Sequence, residues 1–159
     1  MRTRKVEKVT LWYCQDNDRV AMNTLTEGGE VVKIWLTRRM LDRLVPHLAQ
    51  RNARSDIPFE TSENQSEPAA NTEVPESHTS PEVLVTAINI AHSEQSTTLG
   101  FNDKSRCERY SLSLADKGME KWSQAVRNCF RLGGWSEAAW DFEDGFGGRL
   151  ESRSSFTVH

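Results

Sequence analysis

The side chains of this 159-residue chain that could bind a metal, attack an electrophile or move a proton are four histidines, three cysteines and a few adjacent acids. His47, His78, His92 and His159 fall on a helical stretch, a polar stretch, a turn and the last position. No two have the short spacing that lets ligands converge on one ion, so no metal is expected. Cys14, Cys107 and Cys129 are odd in number and contain no C-x-x-C pair, which suits small apolar filler in a reducing compartment rather than a disulfide framework. No Ser, Thr or Cys stands beside a base in a recognisable nucleophile context, and Glu143-Asp144 reads as a solvated pair. Trp140 to Glu151 has the length of a calcium loop, with Gly145 and Glu151 in the right slots. Trp140 and Phe142 would then be the first and third ligands, and neither can bind a hard cation. The glycines of Gly145-Phe146-Gly147-Gly148-Arg149 follow no strand and open no helix, unlike a phosphate loop. No catalytic residue and no cofactor is expected.

Aromatic and basic residues suggest different chemistry. Residues 1–55 carry eleven Lys or Arg against six acids, residues 56–82 seven acids and no base, and residues 83–159 nine bases against ten acids. The net charge of -3 therefore hides a basic first third beside an acidic stretch. In that first third, Arg2, Arg4, Lys5, Lys8, Arg38, Arg39, Arg43, Arg51 and Arg54 accompany Trp12, Tyr13 and Trp35. A sheet presenting rings flanked by bases suits single-stranded nucleic acid, by stacking and phosphate attraction. Trp12, Trp35, Arg38, Arg39 and Arg43 are the candidate contact residues. The competing reading puts both tryptophans under a helix and leaves the arginines as a solvated helical face.

Local pattern says what must position these residues. Val9 to Cys14 is β-branched and aromatic, a predicted strand ending in the turn cluster Gln15-Asp16-Asn17-Asp18. Arg19 to Leu25 alternates, Glu27-Gly28-Gly29 can supply a second turn, and Val32, Ile34 and Leu36 share one face of a third strand. Thr37 is a predicted N-cap for a helix with Met40, Leu41, Leu44, Val45 and Leu48 on its stripe. Pro46 is expected to kink or break it. Residues 55–81 cannot bury enough apolar surface to offset backbone entropy and are expected to be a disordered acidic linker. The pattern then repeats: strands over 82–90, 97–101 and 109–114, and a helix carrying Met119, Trp122, Val126, Cys129 and Phe130, ended by Gly133-Gly134.

At an offset of 78 residues Leu36 falls on Leu114, Leu41 on Met119, Leu44 on Trp122 and Leu48 on Val126. The predicted fold is α+β: two β-β-β-α units, each an antiparallel meander plus helix, related by a pseudo-twofold and joined by the linker. The expected organisation is 1–54, first unit; 55–81, linker; 82–134, second unit; 135–159, a Trp-containing segment and flexible tail. Trp135 and Trp140 either dock on the core or anchor a partner, and the chain beyond Gly145 is expected to fray.

The stretch Tyr110-Ser-Leu-Ser-Leu-Ala-Asp-Lys-Gly-Met-Glu-Lys-Trp122 resembles the last-strand-to-helix junction of the PC4-like and Whirly-like single-stranded DNA binders. That resemblance implies strand-then-helix units paired about a twofold, with single strands bound across the sheets. This chain departs from the pattern in having three strands per unit and a second unit that is not basic, so no binding residue carries over. Ile34-Trp-Leu-Thr-Arg-Arg39 is similar to a segment of uncharacterised bacterial proteins and implies no activity.

The first expectation is a non-enzymatic bacterial protein, an interaction or assembly module with a protein partner or a second copy of itself. The alternative is a single-stranded nucleic-acid binder, and the third an enzyme with an unrecognised site. Met1-Arg2-Thr3-Arg4-Lys5 is followed by no apolar run and no window is long enough to span a bilayer, so a soluble, cytoplasmic chain without membrane attachment is expected.

Overall fold

The computed structural model describes residues 1–52, 80–140 and 156–158. In chain order the elements are β1 (Arg2–Cys14), β2 (Arg19–Thr26), β3 (Val31–Leu36), α1 (Arg38–Asn52), β4 (Glu82–Leu84), β5 (Ala87–His92), β6 (Ser96–Asp103), β7 (Glu108–Ala115), α2 (Asp116–Leu132), a 3₁₀ turn (Ala138–Trp140) and β8 (Phe156–Val158). The result is mixed α+β, with one curled eight-stranded sheet and two helices.

Two tight turns build the first meander. Asp18 sits at φ 47° and Gly29 at φ 79°, left-handed positions that suit a short polar side chain and a residue without Cβ. β1, β2 and β3 pair antiparallel, with Leu11 opposite Met22 and Met22 opposite Ile34. On the other side β5, β6 and β7 repeat the arrangement, with Ile88 opposite Phe101 and Phe101 opposite Tyr110. These residues share the inward face, and all are buried. The stripes of α1 and α2 join them in one core cluster. α1 lies against β5, β8 and the 3₁₀ turn, and α2 against β1, β6 and β7, so the two halves share a single interior.

The sheet order is β4-β3-β2-β1-β7-β6-β5-β8. β1 meets β7 in parallel, Arg2 to Val6 alongside Glu108 to Leu112, and β4 meets β3 in parallel. A single predicted strand over 82–90 is thus two. Its first part pairs with β3 and its second with β6, near opposite ends of the strand order. The switch takes two residues: the Val85 N–H donates to the Trp35 carbonyl at 3.2 Å, and the Thr86 N–H to the Asn102 carbonyl at 3.0 Å. The sheet must therefore curl until its ends approach each other.

Other boundaries also differ from expectation. β1 begins at Arg2; its first residues lack apolar alternation and are held by pairing with β7. α1 runs through Pro46, because Leu44, Val45 and Leu48 around it are anchored in the core. The predicted linker lies outside the described residues except for Ser80 and Pro81, and the Pro81 carbonyl accepts from the Lys33 N–H at 2.9 Å. Residues 141–155 and 159 of the predicted tail also lie outside them. The expected fraying does not extend to 156–158: these residues form β8, antiparallel to β5, with Val158 buried opposite Ile88. Val158 extends the core there, and the strand satisfies backbone groups along β5.

Candidate functional site

Alternation along the first three strands sends Trp12, Ala21, Asn23, Lys33 and Trp35 to the outward face, away from both helices. Register places Trp12, Ala21, Trp35 and Leu84 in one row across β1 to β4, with the two large rings on either side of the small alanine. In the next row Lys33 lies opposite Asn23. Its ammonium is 5.7 Å from the centroid of one Trp12 ring and 5.8 Å from that of Trp35, a cation over two π faces. Glu82 ties the edge of the patch: it accepts from Trp35 Nε1 at 3.2 Å and approaches Lys33 Nζ at 3.8 Å. Leu84, beside Trp35, is 47% exposed. This arrangement can offer flat aromatic surface and positive charge to one ligand.

The helix arginines are elsewhere. Arg38 places its guanidinium 6.0 Å from the Trp135 ring and its Nε 3.7 Å from Asp42. Trp135 is buried and packs edge-on against Tyr13 at 5.6 Å and Phe130 at 5.2 Å. Tyr13 alternates with Trp12 and so points inward, which puts Arg38 on the helix side of the sheet. Arg39 and Arg43 are exposed on α1, the helix that covers that side. The structure brings Trp12 and Trp35 together and separates them from the arginines of α1. Arg4, another base of the first third, is engaged with Glu30 and, at 2.8 Å, with Glu108.

Around Trp135 the C-terminal aromatics dock on the core. Asp18 accepts from the Tyr13 hydroxyl at 2.7 Å and from Trp135 Nε1 at 2.9 Å. Those two bonds hold its carboxyl below the usual range, and the bond to Asp18 pushes the Tyr13 phenol up. Trp140 packs edge-on against Phe130 at 5.7 Å. The cysteines are free thiols, and burial pushes Cys129 up to about 11.

Lys33 and Glu82 were not picked out as site residues from the sequence. Lys33 had a signal, its place two residues before Trp35 on an alternating strand. Glu82 had none, since only the long-range pairing of β4 brings it there.

Compared with protein-family models, curated proteins and solved structures, the chain matches none. Among the described residues no helix is long and apolar enough to cross a membrane.

Proposed function

We propose that this chain is a non-enzymatic cytoplasmic binding module that takes single-stranded nucleic acid on the outward face of its sheet. The observation that carries the reading is the Trp12–Ala21–Trp35 row with the Lys33 ammonium over both rings. Stacking on aromatic side chains is sequence-tolerant because every base has a π face. Lys33 can move from the rings to a phosphate as a base takes its place, exchanging one favourable contact for another. Lys8, opposite Leu25 at the β1 bulge, and Lys5, beside Ser111, add charge on the same face. The outward acids Glu7 and Glu82 temper that charge.

The proposed architecture is a pair of β-β-β-α units about a pseudo-twofold. Two parallel joints support it, β1 on β7 and β4 on β3. So does the spacing of 78 residues between the Glu7–Lys8 bulge in β1 and the Val85–Thr86 step between β4 and β5. In each half the lead strand first pairs with the third strand of the other half, then with the second strand of its own.

A protein partner, or a second copy of the chain, docking on the same patch is the second reading. Exposed Leu84 beside Trp35 favours it.

Fluorescence anisotropy of labelled single-stranded DNA and RNA, at two salt concentrations, tests the first reading. Salt-sensitive binding that is lost in Trp12→Ala/Trp35→Ala supports it. No binding at low salt, or binding indifferent to both substitutions, sinks it and leaves the protein-docking reading to be pursued by co-purification and sedimentation.

A further inference from the structure

We propose that Arg109 is a preformed oxyanion receptor on the outward face of the second half of the sheet, built to take a phosphodiester group through two parallel N–H bonds. Arg109 lies opposite Asn102 on β6 and Thr3 on β1, and its direction is fixed at two points. Its Nε donates to Asn102 Oδ1 at 2.8 Å, and Asn102 is itself oriented by a 2.8 Å bond from its Nδ2 to Asn89 Oδ1. Its stem crosses the strand at Gly100, where an added Cβ would stand 3.2 Å from Arg109 Cδ. A glycine there lets the side chain lie flat against the sheet.

This bracing uses only one of the donors of the guanidinium. Its two terminal amino groups have no hydrogen-bond or ion-pair partner among the described residues. No acidic residue shares the outward face of β5, β6 or β7 with it. A planar fork whose Nε side is already held presents its remaining N–H groups in the geometry that matches two oxygens of one anion. An arginine recruited for stability would be paired with a carboxylate, as Arg4 is with Glu108. Buried Asn102, 6% exposed, gives the receptor a rigid base.

The ligand class follows from the surface. The receptor and the tryptophan pair share the outward side of one curled sheet, and Trp12 lies nine positions along β1 from Thr3, beside Arg109. That is roughly 30 Å of strand, a span that a polymer with a repeated anion can bridge and a small metabolite cannot. The inference adds to the proposed nucleic-acid reading but stands on different residues, so the two can fail separately.

The test observes the arginine side-chain N–H signals of the ¹⁵N-labelled full chain during titration with inorganic phosphate, then with oligothymidylates of about four and about sixteen nucleotides. The expected result is a saturable shift of the Arg109 signals by phosphate, larger than chloride produces at equal ionic strength. Arg109→Lys, which keeps the charge and loses the fork, should weaken binding of the longer oligonucleotide about tenfold or more. Asn102→Ala, which keeps the arginine and frees it, should cost less than that. Phosphate shifts no larger than those of chloride, or unchanged oligonucleotide binding by Arg109→Lys with its fold intact, overturn the receptor while leaving the tryptophan platform standing. Oligonucleotide binding that is weakened by Arg109→Lys but unchanged by Trp12→Ala/Trp35→Ala overturns the platform instead. Preference for an oligoglutamate peptide over the oligonucleotide would overturn the phosphodiester assignment.

Discussion

The indole N–H of Trp135 donates to the carboxylate of Asp18 at 2.9 Å, which pins the chain leaving α2 to the turn between β1 and β2. These residues are 117 positions apart, so the bond ties the aromatic segment that follows α2 to the first hairpin of the chain. It also fixes Trp135 against Tyr13, with Arg38 over its ring. Arg38 therefore lies over this ring on the helix side of the sheet, away from the Trp12–Trp35 row.

Asp18→Asn tests this tie. Asn tolerates the left-handed φ of 47° at that position, so the substitution removes charge without straining the turn. The Asp18 carboxyl is held below its ordinary value in the folded chain. Its contribution is therefore present above the unfolded value of about 3.9 and is lost as pH falls through the folded one. Urea midpoints measured down the acid range should fall less steeply in Asp18→Asn than in the parent, and the variant should be the less stable at neutral pH. Parallel curves would mean that the carboxylate carries no stability.

Adjacent glycines after α2 separate packing from backbone strain. A Cβ on Gly133 would stand 2.9 Å from Tyr13 Cε2 and 3.0 Å from Trp135 Nε1, so Gly133→Ala should cost about 1–3 kcal/mol by overpacking. Gly134, at φ 65°, has nothing within 4 Å of that position, and Gly134→Ala should cost about 1–2 kcal/mol through its left-handed backbone alone. Urea unfolding gives the totals. Only Gly133→Ala should also disturb the NMR contact between the Tyr13 and Trp135 rings.

Tyr110, Glu108 and Arg4 set both ends of a pH window. The Tyr110 hydroxyl donates to Glu108 at 2.8 Å, and burial followed by this bond pushes the phenol up to about 12. Its contribution is present below pH ~10, the unfolded value, and is lost between there and about 12. Glu108 is held below its ordinary range, first by Tyr110 and then by Arg4, so its contribution is lost as pH falls through the folded value. Tyr110→Phe should cost about 1 kcal/mol at neutral pH, abolish this alkaline loss and shallow the acid one. Unfolding midpoints across the pH range, with phenolate absorbance at the alkaline end, check all three.

Bases on the two sides of the sheet should behave differently in binding. If single strands lie on the outward face, Lys5→Ala/Lys8→Ala/Lys33→Ala should reduce the slope of log K against log salt by about 0.7 for each phosphate contact removed. Arg39→Ala/Arg43→Ala, on the opposite side, should leave the slope unchanged. The reverse outcome would place the ligand on α1.

Much of the local structure was readable from residue order. Alternation in Val32, Ile34 and Leu36 marks one face of β3, Thr37 caps α1 by accepting from the Met40 N–H at 3.3 Å, and the stripe from Met119 to Phe130 gives the buried side of α2. That Trp12 and Trp35 fall on one side of the meander came from the pairing register through Ala21. Sequence could not say which side faced the helices, because that depends on which face carries more apolar surface once all strands are in place. Nor could it show that residues 82–92 divide at Val85 and Thr86, that Arg2 to Val6 run beside β7, or that Phe156–Val158 complete the sheet on β5. Periodicity reports how a strand's side chains divide between two faces, a property of each residue and its neighbours. Which edge a strand joins is decided by backbone hydrogen bonds between residues far apart in the chain. Those bonds look alike for every sequence, and only the packing of the whole core selects among them.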